Sequence, residues 1–539
     1  MKKIQGKKVT EKHFTISKLI LYFVFLIWSF WNDFHFFDFT HEDRISYYIS
    51  SGNPNSVAFY ITVKIIFIGL TYAFFTYWFQ TAYKCFNHDE LAIEKAKTIL
   101  KIFIVYMFVL LLIYPGIWKH PNGADEFQLV SFSQRLQVQY HQGVVSAIMF
   151  ILSFMCFPKP VMVVITQMII GAMILGDTAF DIKRKSKKAY VLFMVLVFSP
   201  ASLYYVLYPL RIYLFSVLVV SFLHYLLKMP EGKDIRKADL IGMTIVTCIL
   251  INTRIEIMFL ILLYPLLLLK SCKKKIICYI ELIVICSVLA GSMLNNLGYQ
   301  ACTKSHNSLM LCGPLCVFLS DDSIDKTEYK EDIANIDKVL DVERMIERGD
   351  YRYGLGERLD TYSNEEYTKY LISATRIMLK NPHIYIKAKF LTALDGLGLS
   401  KNMGNIEYAF PVEVKPERIQ KYFQNINIDR HDKFACIIGG DFSINKLNMY
   451  YLFYAFWLPT ILVIITLLFN IKSNKVLCTA CVVLTLQFLL TAATEPSSDR
   501  MYFFVEYLAG WYLVIWSFAD KRAKTSARHL PCMKKEQKN

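Results

Sequence analysis

Charged residues are scarce in this sequence: only 19% of its 539 residues are Asp, Glu, Lys or Arg. Glycine (22) and proline (16) are also few, which excludes a low-complexity chain. Soluble domains carry about 25% charged residues, and hydrophobic residues here reach 55%. These proportions exclude a soluble globular enzyme, a disordered protein and a coiled coil, and they indicate that most of the chain lies in lipid.

Several catalytic motifs are also missing from the sequence. It has no Gly-x-x-x-x-Gly-Lys-Ser/Thr loop, no Gly-x-Ser-x-Gly elbow and no His-Glu-x-x-His pattern. These absences argue against an ATP-driven pump and a membrane metalloprotease. Four cysteines share one polar segment, in which disulfides are allowed if the segment is extracellular. They are Cys302, Cys312, Cys316 and Cys436.

Long apolar runs are what the sequence has in abundance, and about 20 apolar residues suffice to cross a membrane. The seven clearest runs are 17–37, 57–80, 98–117, 276–296, 448–470, 476–494 and 501–519. The stretch 189–228 is interrupted around Ser199-Pro200 and Tyr208-Pro209, so we expect two helices with an irregular turn. The stretch 239–270 is broken at 252–256. We predict an all-α polytopic membrane protein with about twelve transmembrane helices.

The distribution of the basic residues predicts the topology. The net charge is +16, but the lysines and arginines lie in short segments between apolar runs, as at 183–188, 233–237, 273–275 and 521–524. Because cytoplasmic loops are enriched in Lys and Arg, both termini are predicted in the cytoplasm, and 118–141 and 297–445 outside. A nucleic-acid partner is not expected. The two halves agree if 142–180 crosses an odd number of times, as one crossing plus a re-entrant or interfacial piece.

We expect the protein in the cytoplasmic (inner) membrane. The predicted topology divides its chain into five segments. Residues 1–97 form an N-terminal segment with two extra transmembrane helices, and 98–296 form a transmembrane core. Residues 297–445 form an extracytoplasmic domain, in which Ser363 and Glu366 make a capping box. A helix from 382 to 397 in this domain is predicted to lie on the membrane surface. Three helices (446–519) and a basic cytoplasmic tail (520–539) follow.

The first candidate catalytic residues lie in the outer loop 118–141. Asp125 and Glu126 follow a helix that ends in Tyr114-Pro115-Gly116, and His141 begins the next apolar run. A carboxylate pair at a membrane surface is suited to general-base catalysis or to binding a divalent cation. The alternative is a solvated acidic loop, and the sequence leaves both open.

Ionisable residues inside or beside apolar runs are further candidates, because such residues are costly in a membrane and often functional. Arg254 and Glu256 interrupt one run; they are suited to phosphate binding or to forming a pair with each other. Arg211 follows a proline break. Glu495 and Arg500 flank a short outer turn before the last helix, where ordinary loop charges are the alternative.

In the order of these features the chain resembles the GT-C superfamily of membrane glycosyltransferases, in particular a bacterial branch with a Tyr-Pro-Gly…Asp outer loop. Three features carry the resemblance: the acidic pair Asp125-Glu126, the string Thr375–Lys389 with Asn381-Pro382 at its centre, and Arg500-Met501-Tyr502-Phe503-Phe504. Two positions depart from that branch: Arg211 stands near its usual Lys-Asp, and His141-Gln142-Gly143 replaces His-Pro-Pro.

The resemblance implies transfer of a sugar from a polyprenyl-phosphate donor to a glycan or lipid acceptor of the cell envelope, on the outer face. Asp125 would act as the base, with Glu126 and His141 beside it; a divalent cation at Asp125 and Glu126 stays open. Arg254, Arg500 and Arg211, with Glu256 and Glu495 near them, would form the site for the lipid phosphate. A polysaccharide polymerase or ligase of another fold is the first alternative. A lipid-linked glycan flippase is the second, although the halves show no repeat.

Overall fold

Helices make up every secondary-structure element in the described part of the chain. The computed structural model describes residues 11–39, 55–118, 125–138, 143–229, 235–269, 272–297, 308–349, 351, 359, 362–399, 434, 438, 454–495 and 500–528. The helices of the first half are α1 (Glu11–Phe36), α2 (Ser56–Phe86), α3 (Glu90–Leu112), α4 (Asp125–Gln134), α5 (Gly143–Cys156), α6 (Val161–Lys185), α7 (Lys187–Val197), α8 (Pro200–Leu207), α9 (Arg211–Leu227), α10 (Lys237–Ile251), α11 (Leu260–Leu268) and α12 (Lys274–Leu297).

The second half begins with a helical domain and ends with three apolar helices. Its helices are α13 (Cys312–Ser320), α14 (Lys330–Ile336), α15 (Val342–Arg348), α16 (Asn364–Lys380), α17 (Pro382–Leu397), α18 (Trp457–Asn470), α19 (Lys475–Thr494) and α20 (Phe504–Arg528). Short 3-10 helices precede α11, α13, α14 and α20, at Ile255–Ile257, Ser308–Leu311, Lys326–Tyr329 and Arg500–Phe503. The last helix therefore continues to Arg528, into the segment predicted as a tail.

Six of the described helices are long and apolar enough to cross a membrane, and a seventh span results if α7 and α8, bent by 51°, count as one. Four further apolar helices of this part of the chain are shorter: Gly143–Cys156, Arg211–Leu227, Ile255–Leu268 and Trp457–Asn470. The chain is thus all-α, with several helices of membrane-spanning length and composition. The count of twelve and the GT-C arrangement stay predictions.

Proline positions explain where the apolar stretches break. Pro200 begins α8, and its missing N–H is tolerated in a first turn. Pro209 separates α8 from α9. The stretch 189–228 therefore contains three helices rather than the two that we expected, since each proline ends one helix and allows another to begin. The predicted break at 252–256 is present, between α10 and α11.

Two ends of the bundle are marked by different ion pairs. At the "basic end", which we define by Lys185 and Asp520, the two side chains pair at 3.2 Å and Asn474 donates to the same carboxylate. At the "cluster end", which we define by Arg254 and Glu495, the two side chains form an ion pair. Helix α19 has Asn474 as its N-cap and Glu495 as its C-cap, and its 20 residues span about 30 Å, which is the thickness of a hydrocarbon core.

The segment 143–185 begins at the cluster end and finishes at the basic end. Gly143, at the start of α5, packs against Arg211 at the cluster end. Near the start of α6, Gln167 donates to the carbonyl of Tyr208 at 3.0 Å, also close to Arg211. The last residue of α6, Lys185, lies at the basic end. The number of membrane crossings in 142–180 stays a prediction.

The predicted extracytoplasmic domain has a hydrophobic core of its own. Buried side chains from α13, α15 and α16 form it, including Phe318, Met345 and Tyr370. The capping box is present: Ser363 accepts from the amide of Glu366, whose carboxylate accepts from the amide of Ser363. These hydrogen bonds lower the pKa of Glu366. Helix α17 begins and ends as predicted and packs against the 3-10 helix before α20, where Gly396 allows the ring of Phe503 to approach.

One prediction about the outer loop was wrong in its local structure. We treated 118–141 as a loop, but residues 125–134 form helix α4. Leu129 and Val130 of this helix are buried in the main hydrophobic core. A ten-residue helix with so few apolar positions gives a weak periodic signal, and its packing against the core stabilises it.

Candidate functional site

A buried ion cluster of three side chains lies at the cluster end. Arg254 donates from Nε to Oε2 of Glu256 at 3.1 Å and from Nη2 to Oε1 of Glu256 at 2.7 Å. The same Nη2 donates to Oε1 of Glu495. Arg254 is only 5% exposed, Glu256 6% and Glu495 2%. We call Arg254, Glu256 and Glu495 the arginine cluster.

The break between α10 and α11 places Arg254 in this position. Helix α10 ends at Ile251, and Asn252 and Thr253 cap it by returning side-chain hydrogen bonds to the carbonyls of Cys248 and Ile249. Arg254 is extended, with φ −148° and ψ 145°, which turns its side chain out of the helical path. The 3-10 turn Ile255–Ile257 then places Glu256 on the guanidinium.

Arg211 lies beside the arginine cluster. It is the first residue of α9, and its Nη1 donates to the backbone carbonyl of Thr253 at 3.2 Å. Gly143, which has a φ of +73°, lies against the same guanidinium, so a side chain at 143 would meet both strain and Arg211. Within the described ranges Arg211 has no carboxylate as a hydrogen-bond partner. Among the described residues its charge is therefore less compensated than that of Arg254.

Aromatic rings enclose the guanidinium of Arg254. Its Cζ lies 5.4 Å from the ring centre of Phe215 and 5.2 Å from that of Tyr502. Arginine is attracted to the faces of aromatic rings, more strongly where water is excluded. These rings come from α9 and from the 3-10 helix before α20, so three distant parts of the chain meet around Arg254.

Lys389 connects the predicted outer domain to the arginine cluster. This residue of α17 is 6% exposed, and its Nζ donates to the backbone carbonyls of Glu495 at 2.6 Å and Met310 at 3.1 Å. Burial lowers the pKa of Lys389 to about 8, against the opposing effect of the Glu495 charge. The sequence predicted a membrane-surface helix at 382–397, and it did not reveal that Lys389 joins three segments.

The sequence-predicted site residues are brought together only in part. The structure brings together four of them: Arg211, Arg254, Glu256 and Glu495. Of the two possibilities for Arg254, phosphate binding or pairing with an acid, the structure shows pairing with Glu256 and Glu495. His141 lies outside the described residues, as do the side chains of Asp125 and Arg500, which begin α4 and the last 3-10 helix. Glu126 is buried, with 1% of its surface exposed. The convergence of the predicted base with the arginines therefore stays a prediction.

Two buried acidic groups in apolar helices escaped the sequence analysis. Asp33 of α1 pairs with Lys64 of α2, accepts from Tyr60 at 2.8 Å, and the lysine donates to Ser29 at 2.6 Å. Glu506, in the first turn of α20, is 1% exposed. Asp33, Lys64 and Glu506 each interrupt an apolar run, so the rule that identified Arg254 would have found all three.

The described part of the chain contains no group of three or more His, Cys, Asp or Glu side chains that could hold a metal ion. This search does not test the predicted cation at Asp125 and Glu126, because the side chain of Asp125 lies outside the described residues. Cys312 and Cys316 are buried, whereas Cys302 and Cys436 lie outside the described residues.

Compared with known proteins, the chain matches no family model, no curated protein and no solved structure.

Proposed function

We propose that the protein is a membrane glycosyltransferase that moves a sugar from a polyprenyl-phosphate donor to a glycan or lipid acceptor of the cell envelope. The observation that supports this proposal is the grouping of Arg211 and the arginine cluster at one end of the helix bundle. A lipid phosphate that leaves during transfer gains negative charge, and preorganised cations stabilise such charge. The site lies about 30 Å from the basic end, on the predicted outer side.

The two arginines have different roles in this proposal. Arg254 is held by two carboxylates, and exchanging them for a phosphate would leave two buried acids without their cation, which is unfavourable. Toward the described residues Arg211 donates one N–H, to the carbonyl of Thr253, and a guanidinium has five donors. Arg211 therefore binds the phosphate. The arginine cluster holds in place the segment that contains Thr253, whose carbonyl accepts the hydrogen bond from Arg211.

The catalytic base in the proposal is Asp125, with Glu126 and His141 beside it, as the resemblance implies. General-base catalysis would remove the proton of the acceptor hydroxyl as it attacks the sugar carbon. A divalent cation, if the enzyme uses one, would lie at Asp125 and Glu126. No step of the proposed transfer depends on it, because Arg211 supplies the positive charge at the leaving phosphate.

Transfer of radiolabelled sugar from polyprenyl-phosphate hexoses to envelope glycan, in membranes that contain the protein, tests the proposal. We expect transfer above that of membranes without the protein, a large loss with Arg211→Ala and a smaller loss with Arg211→Lys, which keeps the charge. The control is Arg236→Ala, which removes an exposed arginine paired with Asp239. Equal transfer in membranes with and without the protein would rule the proposal out.

A further inference from the structure

Three exposed basic side chains at the turn between α6 and α7 have no acidic partner within the described residues. They are Arg184, Lys187 and Lys188. The basic residues beside them are compensated, since Lys183 pairs with Glu94 at 2.7 Å and Lys185 pairs with Asp520 at 3.2 Å. The described part of the chain therefore leaves three positive charges at this turn uncompensated.

The turn joins two stretches that can each cross a membrane. Helix α6 is long and apolar enough to do so alone, and α7 and α8 pass the same test as one bent span. Ser186 separates α6 from α7 and caps α7 by accepting from the amide of Ala189. Tyr190 follows in the first turn of α7, and the Nζ of Lys183 lies 5.4 Å from the centre of its ring. Because tyrosine is enriched at membrane–water interfaces, this arrangement places the three cations at the height of the lipid headgroups.

Helix α7 continues from these cations with an exposed apolar face. Val191, Leu192 and Val195 are each more than half exposed. They follow Lys188 at spacings of three, four and seven residues, which places them on one face of the helix. Seven residues of an α-helix rise about 10 Å. A cationic end that continues into an apolar surface matches the shape of a phospholipid, in which a charged headgroup is joined to acyl chains.

The charge of the turn determines which phospholipid fits it. A zwitterionic headgroup carries a cation of its own, which the three basic side chains repel, whereas an anionic headgroup carries net negative charge. We propose that Arg184, Lys187 and Lys188 bind the headgroup of an anionic phospholipid, whose acyl chain lies along the exposed face of α7. The proposed sugar transfer takes place at the cluster end, about 30 Å away, so either proposal can fail without the other.

Photolabelling of the full chain in nanodiscs of dioleoylphosphatidylcholine tests this proposal. The probes are phosphatidylglycerol and phosphatidylcholine, each with a diazirine in an acyl chain, and peptide mass spectrometry measures the label on residues 187–197. We expect phosphatidylglycerol to label this segment at least about fivefold more than phosphatidylcholine, since each basic residue at a membrane surface strengthens binding to anionic lipid by about fivefold. Lys187→Gln/Lys188→Gln should lower this ratio to less than about twofold, because two of the three cations are lost. The basic residues 183–185 stay in this variant and keep the orientation of the helices.

The matched control is Lys330→Gln/Lys338→Gln, which removes the same charge from exposed lysines of the predicted outer domain and should keep the wild-type ratio. Equal labelling of the wild type by both lipids, or an unchanged ratio in Lys187→Gln/Lys188→Gln, would contradict the proposal. An equal fall in the control would overturn it too, because the net charge of the protein would then attract the lipid. Glycerol phosphate in large excess should leave the labelling unchanged, and loss of the label would show a site for a free phosphate in place of a lipid.

Discussion

Arg254 forms a buried ion pair with Glu495, a residue 241 positions later in the chain. The pair joins the break between α10 and α11 to the end of α19. Lys389 of the predicted outer domain binds the same place, because its Nζ donates to the backbone carbonyl of Glu495. Because Glu256 also binds Arg254, two buried acidic side chains share one guanidinium. The stability of this region therefore depends on Arg254 more than on either acid.

Arg254→Ala is predicted to destabilise the protein strongly. Removing one partner of a buried ion pair costs about 3–5 kcal/mol, and here two acidic side chains lose the guanidinium that they share. Glu495→Gln should cost less, because Arg254 keeps Glu256. The midpoint of thermal unfolding in detergent measures the difference, with Arg236→Ala as the control because exposed pairs contribute only about 0–1 kcal/mol. A midpoint for Arg254→Ala equal to that of the control would contradict the prediction.

The pH dependence of stability should reveal Lys389. Its pKa is lowered to about 8 in the folded protein, from the ordinary 10.5. Between these values the unfolded chain binds a proton that the folded protein does not, so stability rises with pH in this window. At pH 9.5 the gain over pH 7 is about 2 kcal/mol.

The comparison with Lys389→Met isolates this effect, because other groups titrate in both proteins. The stability of the wild type relative to the variant should increase between pH 7 and pH 9.5. The variant also leaves the carbonyls of Glu495 and Met310 without their donor, but that cost is independent of pH. A difference that stays constant or decreases over this range would show that Lys389 is not shifted downward.

Local features of the fold were predictable from the sequence, and long-range pairing was not. The breaks at Pro200 and Asn381-Pro382 and the cap at Ser363 follow from the backbone chemistry of a few adjacent residues. The contact between Arg254 and Glu495 depends on how α10, α11 and α19 pack, and a single sequence does not specify which acid meets which base. Glu506 lay within reach of the same reasoning, since it is an acid inside an apolar run.

The cap of α16 offers a test of stability in the predicted outer domain. Ser363→Ala removes the side-chain acceptor of the capping box, which costs about 1 kcal/mol. Thr368→Ala is the matched control, because this exposed residue lies one turn inside the same helix and alanine favours helices. Hydrogen exchange of the first turn of α16 should accelerate in the first variant alone. Equal rates in both variants would exclude the cap as a stabilising element.

The predicted topology places Lys188 inside the cell and Lys330 outside. Both side chains are exposed, and Lys188 follows Lys185 of the basic end. A membrane-impermeant thiol reagent applied to intact cells should therefore label Lys330→Cys and not Lys188→Cys. Opening the cells should make Lys188→Cys reactive. The unaltered protein gives the background from native cysteines, and labelling of Lys188→Cys in intact cells would overturn the scheme.

Asp125 is the residue on which the proposed chemistry depends most. Asp125→Asn keeps the size of the side chain and removes the proton acceptor, and a general base contributes about a hundred- to ten-thousand-fold in rate. Sugar transfer from the polyprenyl-phosphate donor should fall by that factor, while membrane insertion and thermal unfolding stay unchanged. Glu126→Gln should have a smaller effect if Glu126 only supports the base, whereas an equal loss would indicate a metal ion held by both. Transfer near the wild-type rate with Asp125→Asn would remove this residue from the mechanism and favour the polymerase or flippase alternatives.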